Sequence, residues 1–351
     1  MLMNPKVIVD PFTRILYASY YLDGFLQVFG KDSILFDSAP FKAIESRSQR
    51  DFDHFFLCII KLADHTIKCV IDFHDSPEIN PTVLNWCDVY GKVNYNSDAF
   101  PGTTHQPKIT PIAPGFSVKT HLFAGITGFL HFTNNYFKIK KAYRPGIKRF
   151  FAGYFSRRRL TLREYNPHFS VNDNYIYFIS TLWKHEFCVT HTNPWRLSFI
   201  EKIHEHFPDI EFEGGFVIHH AAGENYLRYK AKKRYALNDY ILKINQSFLV
   251  FNTPAVHNCH GWKLPEYLLL GKAIISTPIT NKLPAPLTHG ENIHFVSTPD
   301  EIPAAIDLIK NNVEYRNKLA QGARQYYRTY ISPESAVDAI IFHYLKEKNG
   351  I

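Results

Sequence analysis

Short apolar segments alternate with longer amphipathic stretches along the whole of this chain. In the first half the strand-length segments are Lys6–Asp10, Ser33–Asp37, Lys68–Phe73, Lys92–Tyr95 and Ile109–Pro111, most of them rich in Val and Ile. Helical stretches are predicted between several of them, at Ser19–Gly30 and Pro81–Tyr90. The second opens on a proline, whose missing N–H is of no consequence in a first helical turn. A polar, proline-containing link, REYNPHFSVNDN, follows, and a second half is predicted to start near Asn172. Its strands are expected at Tyr175–Ser180, Ile210–Glu213, Phe248–Phe251, Ala273–Ser276 and Ile293–Val296. Helices fall between or after them at Pro194–His206, Lys230–Ile244, Leu264–Leu270 and Pro299–Asn311. Such alternation predicts an α/β protein with parallel sheets covered by helices on both faces.

A chain of 351 residues is long enough for two domains, each with its own core. The expected division is 1–170, 171–330 and a closing helical segment, 331–351, after a break near Ser332-Pro333. Hydrophobic residues make up 45% of the chain and aromatics 15%, which suits a well-packed interior. No apolar run reaches the roughly 18 residues of a membrane helix. The opening MLMNPKVIVDPFTR reads as a strand rather than a signal peptide. Five cysteines (Cys58, Cys69, Cys87, Cys188, Cys259) form no CxxC pair, which predicts reduced thiols and a cytoplasmic protein. The 18 histidines show no metal-ligand spacing, and no DxD-type motif follows a strand, so metal-independent chemistry without a cofactor is expected.

The densest chemistry lies in VFNTPAVHNCHGWKLPEYLLLGKAIISTPITNKLPAPLTHGENIHFV, from Val250 to Val296. A buried strand leads into a polar loop containing Gly261, Trp262 and Lys263. A short apolar helix follows, ending at Gly271-Lys272, and then another strand. Glycine closes a helix without steric cost. A strand–loop–helix unit with glycine before the helix is how α/β folds bring a helix start to a phosphate. Glu266, in the first turn, is placed to accept hydrogen bonds from sugar hydroxyls.

Gly261, Glu266, Gly271-Lys272 and the tail His289–Val296 resemble the C-terminal half of group 1, family 4-like glycosyltransferases of the GT-B fold. The resemblance implies two Rossmann-like domains whose parallel sheets face each other across a cleft, the first binding the acceptor and the second a nucleotide-sugar. The closing helix would cross back onto the first domain. Two acids eight positions apart bracket this loop in that family. Glu266 is the second; the first, which touches the transferred sugar, falls on Asn258, a departure.

Further site residues follow from the resemblance. His74-Asp75, after the strand Lys68–Phe73, match a loop whose histidine contacts the donor; Asp75 would serve as general base in an inverting enzyme. The alternative is a helix cap by Asp75 or Ser76. Tyr20–Gly24 would be the first domain's glycine loop near the donor phosphates. Lys184 and Arg196, with Lys263, would neutralise the leaving diphosphate; the alternative for each is a solvated charge. The loop Pro114–Ser117 would line the acceptor cleft or be an ordinary turn.

Net charge is +8, and the stretch 138–163 carries ten Lys or Arg and no acid, interleaved with aromatics. Such a segment can rest on an anionic membrane surface, placing the protein on the inner face of the membrane, or simply form a basic edge. No nucleic-acid-binding motif accompanies it. The sequence thus predicts transfer of a sugar to a glycan or lipid-linked glycan, as in cell-surface polysaccharide synthesis. A sugar-nucleotide epimerase and a non-catalytic binding protein are the alternatives.

Overall fold

The computed structural model describes residues 5–44, 51–98, 107–123, 125–155, 160–165 and 170–349. In chain order the first half comprises β1 (Lys6–Val9), α1 (Ile15–Phe29), β2 (Ile34–Phe36), β3 (Phe55–Lys61), β4 (Thr66–Asp72), α2 (Pro81–Trp86), β5 (Val89–Lys92), β6 (Ile109–Pro111), α3 (Gly125–Lys138) and α4 (Ile147–Phe155). The second comprises β7 (Tyr175–Thr181), α5 (Asn193–His206), β8 (Glu211–Val217), α6 (Glu224–Leu227), α7 (Leu237–Gln246) and β9 (Val250–Asn252). It continues with α8 (Lys263–Leu269), β10 (Ile274–Ser276), β11 (His294–Phe295), α9 (Ile302–Asn311) and α10 (Val313–Tyr326). A π turn, Tyr327–Ile331, leads to α11 (Pro333–Asn349). Two compact units result: Met1–Leu162 with Lys282–Ala285 and Tyr330–Ile351, and Arg163–Asn281 with Pro286–Thr329. Among the described residues no helix is long and apolar enough to cross a membrane.

The first unit holds a six-stranded sheet, in the order β2-β1-β3-β4-β5-β6. It is not all-parallel. β3 runs antiparallel to both β1 and β4, and the other pairs are parallel. Sequence patterning misses β3 because FFLCII is a continuous apolar run, buried on both faces, without the period of two that marks a half-exposed strand. Its hairpin turn closes with Leu62 N–H on His65 O at 2.8 Å and carries no Asn-Gly signal.

Helix α1 begins at Ile15, so Tyr20–Gly24 is helical and not the predicted glycine loop. Gly24 lies where a Cβ would stand 2.2 Å from the Pro333 carbonyl oxygen, and Tyr20 Oη donates to Ile331 O at 2.8 Å. Close packing of α1 on α11 explains this glycine, which is therefore withdrawn as a donor contact. Pro114–Ser117 is likewise internal packing: a Cβ on Gly115 would meet Tyr20 at 2.8 Å.

In the second unit every strand pair is parallel. β7 pairs with β8, and β10 lies between β9 and β11. The Asn172–Ser247 bridge and Phe248 N–H on Tyr175 O at 3.1 Å set the two-stranded sheet β8-β7 beside the three-stranded sheet β9-β10-β11. The core lies between this sheet and its helices, with Phe178, Phe199, Phe251, Ile275, Ile306 and Leu319 buried. Gly271 closes α8 with φ of 60°, as its sequence position predicts.

Candidate functional site

Parallel α/β sheets bind ligands beyond the carboxyl ends of their strands. In the second unit that edge is formed by the residues after β7, β9 and β10, and most of the predicted donor residues lie there. The loop after β9 runs through Thr253 to Trp262. Gly261 stands open: a Cβ there would meet nothing within 4 Å. Trp262 is exposed beside it.

Glu266, in the first turn of α8, is only 7% exposed. Its carboxylate accepts from Tyr240 Oη at 3.1 Å and Tyr165 Oη at 3.5 Å. Burial, then the neighbouring carboxylate, raises the Tyr240 hydroxyl well above the usual tyrosine range, so it remains a donor at neutral pH. Sequence reasoning selected Glu266 but missed both tyrosines, which come from α7 and the inter-unit link and carry no local motif.

Two of the three predicted cations turn inward. Arg196 is 6% exposed; its Nε donates to Thr253 Oγ1 at 2.9 Å and its Nη1 to Thr181 O at 3.2 Å. It therefore ties the ends of β7 and β9 together, and burial pulls its guanidinium down to about 10. Lys263 donates from Nζ to Ile179 O and packs over the Phe178 ring. Burial, then the nearby Arg196, lowers its ammonium to about 7. Sequence gives no warning of this, because α8 starts with Lys263 already directed at β7. Lys184 alone of the three is exposed.

Asn258, in the position of the family's first acid, is an anchor. Its side-chain amide donates to Thr280 Oγ1, and its carbonyl accepts from Asn281 Nδ2 at 3.0 Å. Its neighbour His257 faces His185 from the loop after β7, ring centroids 4.2 Å apart at 70°. Neither histidine was singled out by sequence, since they lie 72 positions apart and form no motif.

His74 and Asp75 belong to the first unit, after β4. His74 N–H donates to Asp72 Oδ1 at 2.9 Å, its carbonyl accepts from Asn94 Nδ2 at 2.9 Å, and its ring stacks on His54 at 3.8 Å. Asp75 is exposed. The cap of α2 falls to Asn80, whose Oδ1 accepts from Val83 N–H at 3.2 Å, so Asp75 and Ser76 are not the helix cap. Beneath the loop Asp72 Oδ2 accepts from Lys92 Nζ at 2.8 Å and Tyr90 Oη at 2.6 Å, all three buried. Among the described residues no group of three His, Cys, Asp or Glu side chains could hold a metal ion.

No known protein family matches the chain by sequence, and no curated protein does. Solved structures are similar at low identity. The C-terminal domain of a glycosyl transferase group 1 family protein (LpcC) from Francisella tularensis shares 14% identity over 48% of this chain and 91% of its own, with a TM-score of 0.33. Alr3699/HepE from Anabaena, in complex with UDP and glucose, shares 12% over 79% of this chain and 69% of its own, with a TM-score of 0.43. A putative UDP-N-acetylglucosamine 2-epimerase from Listeria monocytogenes shares 12% over 77% and 62%, with a TM-score of 0.40. The α/β class with parallel-rich sheets stands on the strand pairing itself, and the functional reading on the residues.

Proposed function

We propose that this protein is a glycosyltransferase, moving a sugar from a nucleotide donor to a glycan or lipid-linked glycan in cell-surface polysaccharide synthesis. The observation that carries the reading is the β9–α8 loop. At the carboxyl edge of an all-parallel sheet, an open Gly261 stands five residues before a carboxylate already gripped by hydroxyl donors. A site that holds one acid between two hydroxyls is built to exchange them for the diol of a ribose. Asn258 and Trp262 border the same loop, and Lys184 supplies the exposed charge. His74 and Asp75 are proposed as the catalytic residues, and the chemistry is proposed to need no metal.

The outer helices of the first unit support a lipid-linked acceptor. On α3, Ile126, Leu130 and Phe137 are 80%, 60% and 62% exposed and share one stripe; Ile147 on α4 is 60% exposed. Lys140, Lys141 and Lys148 are exposed among them. Apolar side chains bordered by cations suit an anionic bilayer surface. Other basic residues of 138–163 serve the fold: Lys138 Nζ donates to Phe36 O at 2.6 Å, and Arg149 pairs with Asp53. Arg157, Arg158 and Arg159 lie outside the described residues.

Incubation with a panel of radiolabelled sugar nucleotides tests the reading. Transfer or slow hydrolysis of one donor is expected, and Glu266→Gln should lower donor affinity or turnover at least tenfold while the fold persists. Donor epimerisation would mark an epimerase, and binding without turnover a binding protein. Unchanged kinetics in a folded Glu266→Gln protein would remove Glu266 from the site.

A further inference from the structure

The β9–α8 loop places two consecutive residues in the left-handed backbone region, His257 at φ 53° and Asn258 at φ 61°. Residues with a Cβ adopt it infrequently and at a cost, whereas glycine does so freely. Asparagine and histidine tolerate it better than most, and two such residues in succession are held there by their surroundings. Asn258 is fixed by Thr280 and Asn281, and Ala255 N–H closes the loop on Cys259 O at 3.0 Å.

The partner ring is held as firmly. Asn193 Nδ2 donates to Trp183 O at 2.8 Å, and its Oδ1 accepts from Trp183 N–H at 3.4 Å, fixing the loop that carries His185. Thr192 Oγ1 donates to Pro254 O at 3.0 Å and so locks that segment to the loop carrying His257. The two imidazoles therefore meet in a geometry determined from both sides. His185 Nδ1 is buried and has no hydrogen-bond partner among the described residues, an uncommon state for a polar atom. Arg196 and Lys263, meanwhile, are spent on backbone carbonyls and a threonine hydroxyl, leaving little cationic capacity at this edge.

We propose that His185 and His257 form the diphosphate-recognising pair of the site, their ring N–H groups donating to phosphate oxygens of a nucleoside diphosphate beside Lys184. The proposal rests on the nucleotide-sugar reading above and assigns the task expected of Arg196 and Lys263 to residues that no motif marks. A neutral imidazole carries one N–H donor, so the pair supplies two directed donors. Backbone strain accumulates where a ligand needs a side chain at a fixed place, which accounts for a histidine where glycine would be easier.

Calorimetric titration with ADP, GDP, UDP and inorganic pyrophosphate tests this in the wild-type protein, His257→Gly and His185→Phe. His257→Gly relieves the backbone and should leave the thermal midpoint equal or higher while weakening diphosphate binding at least tenfold. His185→Phe keeps an aromatic ring against His257 but removes the donors, and the same loss is expected. His257→Asn, which tolerates the conformation and keeps an amide donor, should fall between. Wild-type affinity in both His257→Gly and His185→Phe would overturn the assignment and leave the transferase reading intact. Binding of pyrophosphate but no nucleoside diphosphate, lost in both variants, would keep the pair as a polyphosphate site and discard that reading. A wild-type protein that binds none of the four ligands discards both.

Discussion

The two units solve the same problem, burying a sheet between helices, with different economies of polar groups. In the second unit every strand pair is parallel, and two inward-turned cations, Arg196 and Lys263, donate to backbone carbonyls along the edge where ligands bind. In the first unit an antiparallel strand is inserted between parallel ones, and a complete ion pair, Asp72 with Lys92, lies under the loop of His74. The contrast teaches that carbonyls give an inward-turned cation hydrogen bonds without a counter-charge, whereas a carboxylate supplies both and commits both partners.

The largest effect should come from breaking the buried pair. Asp72→Asn leaves Lys92 without its counter-charge and weakens the hold on Tyr90, and a destabilisation of about 3–5 kcal/mol is expected. Urea unfolding followed by tryptophan fluorescence and far-UV dichroism measures it. A change below about 1 kcal/mol would mean that the pair contributes little to the fold and that the two units do not differ in this respect.

Much of the second unit is legible in its sequence, because most of its strands are short, apolar and followed by a helix. All five expected strands and the Gly271 closure are present, with boundaries moved by a few residues. The first unit is less legible for a physical reason. A strand buried on both faces has no alternation to betray it, and β3 is such a strand. The candidate site divides similarly. Gly261 and Glu266 could be picked out because their roles depend on local position in a strand–loop–helix unit. The inward turn of Arg196 and Lys263, and the meeting of His185 with His257, depend on which strand ends are neighbours, and local pattern is silent on that.

A smaller effect separates the outer surfaces of the units. Leu130→Glu with Phe137→Glu places two anions in the exposed stripe of α3 and should reduce binding to anionic vesicles at low salt by at least tenfold. Nucleotide binding by the second unit should be unchanged. Co-sedimentation with vesicles of mixed zwitterionic and anionic phospholipid gives the measurement. Equal sedimentation of wild type and double mutant would dismiss the stripe as a lipid contact.

The smallest effect is a pH dependence. Lys272 is buried, its Nζ donating to Asn245 O at 2.9 Å, and burial with nearby Arg316 and Arg324 lowers it to about 7. Its ordinary value in the unfolded chain is higher, so between about pH 7 and pH 10 the unfolded state binds more protons. Stability from this group must then rise with pH across that window and be flat below it. Lys272→Met, which has no proton to lose, should show its greatest relative stability near pH 7, with the gap to wild type closing by pH 10. Parallel thermal-midpoint curves for the two proteins would assign the ammonium its ordinary value.

The contact of α1 with α11 has a consequence for biosynthesis. Tyr20 and Gly24, near the start of the chain, are covered by Ile331 and Pro333, near its end. While the protein is being made, α1 therefore waits with an apolar face open until α11, about three hundred residues later in the chain, has left the ribosome. The strands and helices of the second unit are complete some twenty residues earlier. The half translated first is finished last, and during that interval it is the half that a chaperone would hold.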